Sequence, residues 1–259
     1  MPPRLRLALT ALILVAGAVA LGWTGQQPPA PAPARAEAPA RSPSSGDYVL
    51  ALSWHPAFCE RQSRLPECRN ERSSDYTADH FALHGLWPQD LEYCGVSNRE
   101  IGLSSDGRWD ELPAIDVGTE TWAALARVMP GVEDGLERHQ WTKHGTCSGA
   151  DAETFFARSV DLLDEINASG VRDLFARNIG RHVSRDQTRA ALDAAFGDGA
   201  GARARLNCTE DGPRTLIGEL RLNLSGDVLG TGGLAALLRA ADRAGAGCTG
   251  GEVDPVGRQ

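Results

Sequence analysis

Two short stretches of the chain contain histidines whose surroundings could support proton transfer. The first reads Phe-Ala-Leu-His-Gly-Leu-Trp-Pro-Gln and contains His84; the second reads His-Gln-Trp-Thr-Lys-His-Gly-Thr-Cys and contains His144. Imidazole titrates near neutral pH without perturbation, so the two histidines could serve as a general acid and a general base if the fold brings them together. Lys143 would then supply positive charge where negative charge develops in a reaction.

Taken singly, each histidine has simpler interpretations. A lone histidine beside apolar residues is commonly a hydrogen-bonded core residue. We expect such a structural role for His55, His80 and His182. A zinc site does not fit the second stretch, because His139 and His144 lie five residues apart and Gln140 stands where a His-Glu-x-x-His motif has its glutamate. We therefore predict no metal and no other cofactor.

The composition is acidic and almost free of lysine. The chain carries 26 Lys and Arg residues against 34 Asp and Glu, a formal net charge of −8, and residues 47–259 alone carry 22 against 33, a net charge of −11. A broad basic surface for duplex nucleic acid is thereby excluded, and any nucleic-acid chemistry must be local. Lys143 is the single lysine beside 25 arginines, which favours a requirement for a compact ammonium at that position.

The N-terminal region has the composition of a targeting segment. Two arginines precede an uncharged apolar run that closes on Ala-Val-Ala, so residues 1–25 are predicted to be a secretory signal peptide, with an uncleaved membrane anchor as the alternative. Residues 26–46 are rich in Pro and Ala and predict an extended linker. Residues 47–259 are predicted to form one domain, exported to the periplasm or the extracellular space.

All six cysteines lie in the predicted domain. An even number behind an export signal suits three disulfides, although the spacing leaves many pairings open. No Cys-x-x-Cys pair occurs, so the cysteines give little support for metal binding.

Hydrophobic patterning predicts a mixed structure. Strands are predicted at Tyr48–Trp54 and Leu216–Leu224, the second half-exposed, with its leucines on one face and Glu219, Arg221 and Asn223 on the other. A capping box of Ser184 and Gln187 precedes one of the predicted helices. The helices are Ala152–Ile166, Thr188–Phe196, Thr121–Met129 and Leu234–Ala241. Glycine-rich stretches at 197–201 and 245–251 are predicted loops. Strands and helices do not alternate regularly, which favours an α+β fold.

The two histidine stretches resemble the active-site segments of the ribonuclease T2 family, whose patterns read His-Gly-Leu-Trp-Pro and His-Glu-Trp-x-Lys-His-Gly-Thr-Cys. The first segment agrees throughout, and the second departs only at Gln140. The resemblance extends from about Asp47 to Cys248. Leu52–Cys59 is similar to the first strand of the family and the turn after it, and Leu216–Leu224 is similar to a later core strand. It implies a single α+β domain with a central, largely antiparallel sheet flanked by helices.

The resemblance also implies an activity, that of a metal-independent endoribonuclease with little base specificity. His144 would take the proton of the 2′-hydroxyl and His84 would protonate the departing 5′-oxygen, leaving a 2′,3′-cyclic phosphate that is later hydrolysed to a 3′-phosphate. Lys143 would stabilise the phosphorane, and His139 would help to hold the phosphate. RNA is the expected substrate, and DNA is not, because it lacks the nucleophile.

Three further positions are assigned by the resemblance. The family has a glutamate at the position of Gln140, so we expect an active but attenuated catalytic site. Trp87 matches a position where a ring stacks on a base, although a role as a wall of the core explains it equally well. Gln89 would contact the base edge.

The disulfide pairing implied by the resemblance is Cys59–Cys68, Cys94–Cys147 and Cys208–Cys248. The second bridge would adjoin both histidine stretches. The competing function is a non-catalytic RNA-binding or protein-interaction module on the same fold, with Gln140 as the sign of lost activity. The sequence contains no oligomerisation signal, so we expect a monomer, tethered to a membrane only if residues 1–25 remain attached.

Overall fold

The structure is a computed structural model that describes residues 45–259. The predicted signal peptide or anchor lies outside the described residues, as does the predicted linker up to residue 44. Ser45 and Gly46, which the sequence analysis assigns to the linker, belong to the first strand. Within the described residues, no helix combines the length and the apolar character needed to cross a membrane.

The described residues form one mixed sheet. Its strands are β1 (Ser45–Ser53), β2 (Ala82–Pro88), β3 (His182–Ser184), β4 (Ala204–Asp211), β5 (Arg214–Asp227) and β6 (Gly250–Glu252). The order is β2-β1-β5-β6-β3, and β4 also pairs with β5. Every pairing between these strands is antiparallel except that of β5 with β6. The long strand β5 is therefore the central strand of the sheet, and it pairs with β1, β4 and β6.

Helices surround the sheet. They are α1 (His55–Arg61), α2 (Pro66–Arg69), α3 (Asn98–Ser105), α4 (Thr119–Val128), α5 (Leu136–Lys143), α6 (Ala152–Asn167), α7 (Gly170–Ala176), α8 (Arg185–Phe196) and α9 (Leu234–Ala240). Single 3-10 turns occur at Tyr76–Ala78, Trp109–Glu111, Pro130–Asp134, Gly145–Cys147 and Ala200–Arg203. Helix α6 packs against β1 and β2, and α9 packs against β5.

The core lies between the sheet and α6. Trp54 is fully buried, and its ring centroid lies 5.5 Å from those of Phe81 and Phe175. Phe155 and Phe156 of α6 are also buried, packed edge to face with their centroids 5.2 Å apart. Burying such rings stabilises a domain through both area and geometry.

The predicted α+β class and antiparallel character are confirmed. The capping box at Ser184 and Gln187 is present, with both reciprocal hydrogen bonds. The predicted first strand differs at its end: β1 stops at Ser53, and Trp54 occupies the N-cap of α1, because Pro56 in the first turn suits a helix start better than a strand. The glycine-rich stretches contain short elements as well, which are the 3-10 turn at Ala200–Arg203 and the start of strand β6.

The burial of the two faces of β5 differs from the prediction at one residue. The leucine face is buried as expected, but Glu219 on the opposite face is also buried, at 8% exposure. The expectation of a solvent-facing Glu219 is therefore wrong, because the strand on which it lies is central and neighbouring side chains cover that face.

All three disulfides implied by the resemblance are confirmed. Cys59 is bonded to Cys68, Cys94 to Cys147, and Cys208 to Cys248, and no described cysteine is free. These bridges are typical of proteins in oxidising compartments.

Candidate active site

Strand β2 presents His84 at a β-bulge. Ala51 of β1 pairs with Gly85 and Leu52 pairs with Leu83, so the intervening His84 has no partner on β1. A bulge re-aims the side chain of the extra residue. The His84 side chain is 37% exposed, although Leu83 and Gly85 on either side of it in the strand are buried.

The partner of His84 is a carboxylate. Nδ1 of His84 lies 2.6 Å from Oε1 of Glu219, and Oε2 accepts hydrogen bonds from Asn207 Nδ2 at 3.0 Å and from Arg221 Nε. Burial alone would raise the pKa of Glu219, but the hydrogen bond and charge of His84, assisted by Arg221 and Asn207, bring this pKa below its ordinary value. The group is therefore ionised at neutral pH.

Glu219 is a site residue that the sequence analysis missed. One feature of the sequence could have indicated this role. Glu219 lies in a strand rich in leucine, directly after Gly218 and two residues before Arg221. The β4–β5 register shifts between Asn207 and Cys208, leaving Gly218 as an extra residue beside Glu219. Glycine within a strand commonly accompanies such a bulge.

Helix α5 and the turn after it position the second histidine stretch. His144 caps the helix, and its N–H donates to the carbonyl of Gln140 at 3.0 Å. The ring of Trp141 occupies the space beside Gly145, where a Cβ would lie 2.2 Å from that ring. Trp141 in turn packs on Phe155, with the ring centroids 5.8 Å apart. The core thus determines where the end of α5 and its side chains lie.

Trp87 connects the two histidine stretches. Its ring centroid lies 5.0 Å from that of His84 and 5.4 Å from that of His144. Its Nε1 donates a hydrogen bond to Oε1 of Gln140 at 2.7 Å, and the Arg221 guanidinium lies 4.8 Å from the centre of the ring. The structure therefore brings His84, His144 and Gln140 together around one indole.

Burial and nearby positive charge keep two histidines of the site neutral. Burial, followed by the charges of Lys143, His139 and His84, lowers the pKa of His144 to about 3. Burial, followed by the charges of Lys143 and His84, lowers the pKa of His139 to about 4. A neutral imidazole can accept a proton, so His144 has the protonation state that a general base needs.

The remaining polar residues of the second stretch also have defined partners. Nδ1 of His139 lies 2.8 Å from Oγ of Ser104, and the His139 ring stacks on Trp109 with a centroid distance of 4.6 Å. Nζ of Lys143 lies 3.3 Å from Oε1 of Glu92, whose side chain is half exposed. Exposed ion pairs contribute little stability, so this ammonium can exchange its carboxylate for another anion at low cost.

Gln89 is placed differently from the other predicted site residues. It follows β2, is exposed, and its amide Nε2 lies 3.5 Å from the carbonyl oxygen of Tyr48. It makes no hydrogen bond to the histidines described above. A contact of Gln89 with a base stays a prediction.

A disulfide joins the loop that follows the first histidine stretch to the end of the second. Cys94 lies in the loop after β2 and Cys147 in the turn after α5, and the two are bonded. In the same place, the N–H of Tyr93 donates to the carbonyl of Lys143 at 2.8 Å. These links restrict how far the loop after β2 can move from the end of α5.

A cavity of about 620 Å³ opens on the His84 side of the site. Its lining includes Glu219 and Arg221 from β5, Phe58 and His55 from α1, and Trp109. This volume and this mixture of apolar and polar side chains are typical of small-molecule sites.

One group of residues has the proximity of metal ligands within the described range. It consists of His55, Cys59 and Cys68. The two cysteines are bonded to each other, so they offer no thiolates, and a metal site there does not fit the chemistry.

The fold and site together define a class of protein: an α+β, disulfide-bonded domain in which two histidines pack against one tryptophan ring and a lysine directly precedes one of them in the chain. A family model described as the ribonuclease T2 family matches residues 46–230, and the chain belongs to this family of RNA-cleaving enzymes. Ribonuclease I of Escherichia coli K12 is 30% identical to it over 205 residues, covering 70% of this chain and 76% of that protein.

Solved structures agree with the fold. The SF11 ribonuclease associated with gametophytic self-incompatibility in Nicotiana alata has a TM-score of 0.51 at 14% identity, covering 83% of this chain and all of that one. The T2 ribonuclease Actibind has a TM-score of 0.50 at 19% identity, covering 82% of this chain and 88% of that one.

The first prediction concerns Gly85. A Cβ at this position would lie 2.1 Å from Oε1 of Gln140 and 2.5 Å from Nε1 of Trp87. We expect Gly85→Ala to break the hydrogen bond between those two side chains, to lower RNA cleavage, and to reduce the free energy of unfolding by about 1–3 kcal/mol. Urea unfolding and a cleavage assay measure both effects. Gly102→Ala, in α3 with nothing within 4 Å of its Cβ, is the control, and equal behaviour of the two variants would contradict the prediction.

The second prediction concerns the disulfides. Replacing Cys94 and Cys147 by Ala should lower the free energy of unfolding by roughly 2–4 kcal/mol and also lower RNA cleavage. Replacing Cys208 and Cys248 opens a bridge of comparable span, 40 residues against 53, so the loss of stability should be similar and the loss of cleavage smaller. Both variants are assayed at a temperature where circular dichroism shows them folded. Equal losses of cleavage would refute a specific role for the first bridge.

Proposed function

We propose that this protein is an exported ribonuclease that cleaves single-stranded RNA by transferring the phosphodiester to the neighbouring 2′-hydroxyl. The observation that supports it most directly is the placement of His84 and His144 on one indole ring, with centroid distances of 5.0 and 5.4 Å. Two imidazoles separated by about one aromatic side chain can reach the two oxygens that exchange protons in such a transfer.

The two histidines take different roles. His144, buried and neutral, removes the proton from the 2′-hydroxyl, and that oxygen attacks phosphorus. His84 donates a proton to the 5′-oxygen as its bond to phosphorus breaks, which leaves a 2′,3′-cyclic phosphate. Hydrolysis of the cyclic ester then reverses these roles with water as the nucleophile and leaves a 3′-phosphate.

Charge stabilisation comes from the end of α5. Lys143 lies next to His144 in the chain, and its ion pair with Glu92 is exposed enough to be replaced by a phosphoryl oxygen. His139 helps to hold the phosphate by hydrogen bonding. Both proton transfers and the charge stabilisation use side chains of the protein itself, so we expect chelators to leave the rate unchanged.

Base specificity is expected to be low. The cavity beside His84 includes the rings of Phe58 and Trp109, and an aromatic ring accepts any base by contact with its face. Stacking of a base on Trp87 remains part of the proposal, and it competes with Arg221, whose guanidinium lies over that ring.

The proposed setting is the periplasm or the extracellular space. Three disulfides suit export, and the predicted signal peptide would direct it. The proposed form is a monomer, tethered to a membrane only if residues 1–25 stay attached.

The third prediction tests this reaction. Purified, fully oxidised protein should cleave a short RNA in the presence of EDTA and release 2′,3′-cyclic phosphate ends, and it should leave the same oligonucleotide intact when it carries a 2′-deoxyribose at the scissile position. His144→Ala and His84→Ala should each lower the rate on the order of 10²- to 10⁴-fold. Product ends are identified by mass spectrometry. A folded wild-type protein that binds this RNA without cleaving it would support a binding module instead.

The fourth prediction concerns pH. A base with a lowered pKa stays neutral down to a lower pH. Because the pKa of His144 is lowered to about 3, the acid limb of kcat/KM should lie well below pH 6.5, which is about the ordinary pKa of histidine. Bound phosphate favours the imidazolium, so the acid limb of kcat should lie at higher pH than that of kcat/KM.

Gln140→Glu extends the same experiment. A carboxylate at this buried position would favour the imidazolium form of His144, so the acid limb of kcat/KM should move to higher pH and turnover should rise. Identical profiles for wild type and Gln140→Glu would mean that the amide at this position is neutral for catalysis. An acid limb of kcat/KM at the ordinary histidine pH in the wild type would argue against His144 as the base.

A further inference from the structure

The buried carboxylate on His84 has no role in the proton transfers proposed above. Glu219 is 8% exposed and ionised, and it contacts Nδ1 of His84 at 2.6 Å. Burying a charge is costly unless it is paired and hydrogen-bonded. Asn207 and Arg221 bind the second oxygen of this carboxylate, so Glu219 is held on both sides.

The strand register determines this arrangement. Glu219 lies directly opposite Asn207 on β4 and opposite Ser53 on β1. Ser53 in turn pairs with Ala82 of β2, two residues before His84. The bulge at His84 therefore turns an imidazole of β2 toward a carboxylate two strands away, across the intervening β1.

A carboxylate at one nitrogen of an imidazole determines what the other nitrogen can do. Bonded to Glu219, Nδ1 carries a proton, so Nε2 is the nitrogen that can give a proton to a substrate and take it back. The His84 side chain is 37% exposed, and Nε2 makes no hydrogen bond to the described residues. This nitrogen is therefore free to meet the departing 5′-oxygen.

The opposite side of the site lacks such a carboxylate. The buried residue that faces Trp87 from α5 is the amide Gln140, and His144 has no carboxylate partner among residues 45–259. The two glutamates that precede Gln140 most closely in the chain do not supply a carboxylate to His144. Glu137 pairs with Arg138 at 3.4 Å, and Glu133 lines a separate cavity.

We propose that Glu219 is a positioning residue for the reaction, which holds His84 through Nδ1 and stabilises the imidazolium that protonates the 5′-oxygen. The inference rests on the proposed function, because it assumes that His84 is the general acid. The proton moves from Nε2 of His84 to the 5′-oxygen as the bond from that oxygen to phosphorus breaks. His84 is left neutral, with its Nδ1 proton still donated to Glu219, and regains a proton from water when the cyclic phosphate is hydrolysed.

Other charges also act on His84 and must be included in any interpretation of a pH profile. Glu219 contacts it, and His139 and His144 interact with it electrostatically. The cavity that it lines carries further charged and titratable groups, which are Arg221, Arg61, His55, Glu67, Asp110 and Asp134. Glu219 is the acidic group that is hydrogen-bonded to the ring, so its removal takes away the direct contact and leaves the other groups in place.

The fifth prediction is the effect of Glu219→Gln. Turnover of a dinucleotide should fall on the order of 10²-fold with little change in KM, since the loss falls on the transfer of the proton to the leaving group. Loss of a negative charge beside an imidazolium makes its proton easier to remove, so the alkaline limb of kcat should move to lower pH. Glu219→Asp, which keeps the charge, should recover part of the turnover and most of the shift.

Glu137→Gln is the matched control. It makes the same isosteric change at another buried, arginine-paired glutamate that does not contact His84. Turnover and pH profile should stay as in the wild type. Equal losses in Glu137→Gln and Glu219→Gln would mean that the replacement of any buried, arginine-paired glutamate has this effect, and the inference would fall.

An activated substrate separates a role in proton donation from a role in folding. In a nucleoside 3′-(4-nitrophenyl) phosphate the leaving group departs without protonation, so Glu219→Gln and His84→Ala should both retain most of their activity on it while losing activity on the dinucleotide. Equal loss on both substrates for Glu219→Gln would overturn the inference in favour of a purely structural role.

The same pair of substrates distinguishes the inference from the function on which it rests. If His84→Ala loses dinucleotide cleavage and Glu219→Gln keeps the wild-type rate and pH profile, the proposed reaction stands and the role of Glu219 is wrong. If His84→Ala itself cleaves the dinucleotide at the wild-type rate, the assignment of the general acid fails, and the role of Glu219 fails with it.

Discussion

Trp87 donates a hydrogen bond to Gln140 in the space that Gly85 leaves open, and this contact joins the sheet to the end of α5. The indole then has His84 at its edge and His144 stacked beside it. Both histidines pack against this ring, so its position sets the distance between them. A side chain at position 85 would fill the same space, so the site depends on the absence of a single Cβ.

The sheet and the helix supply histidines in opposite electrostatic surroundings. His84 lies against the carboxylate of Glu219, whereas His144 is buried beside Lys143 and has a lowered pKa. Similar groups acquire different roles when their environments differ in this way. One imidazole is thereby suited to carry a proton and the other to accept one, in a domain whose net charge is strongly negative.

Rigid elements hold both halves of this arrangement. His84 is the extra residue of one bulge, and Glu219 follows the extra residue of another. Bulges redirect side chains while the strands on either side stay paired. On the other side, Trp141 fixes the end of α5 through its contacts with the core, and the Cys94–Cys147 bridge attaches the loop that follows β2. Preorganisation of this kind limits the motion that a reacting group must lose.

The sequence alone determined the fold class, the two histidine stretches and four of the helices, because these depend on local signals: hydrophobic period, capping residues and short motifs. Helix α5, which carries the second histidine stretch, was not among the predicted helices. The disulfide pairing followed from the family resemblance and not from cysteine spacing. Tertiary structure alone decided that Glu219 belongs to the site. The alternation of Glu219 with leucines indicated an exposed face of the strand. The pairing of β5 with β1 and β4, together with the bulge at His84, brings the carboxylate of Glu219 to an imidazole 135 residues away in the chain.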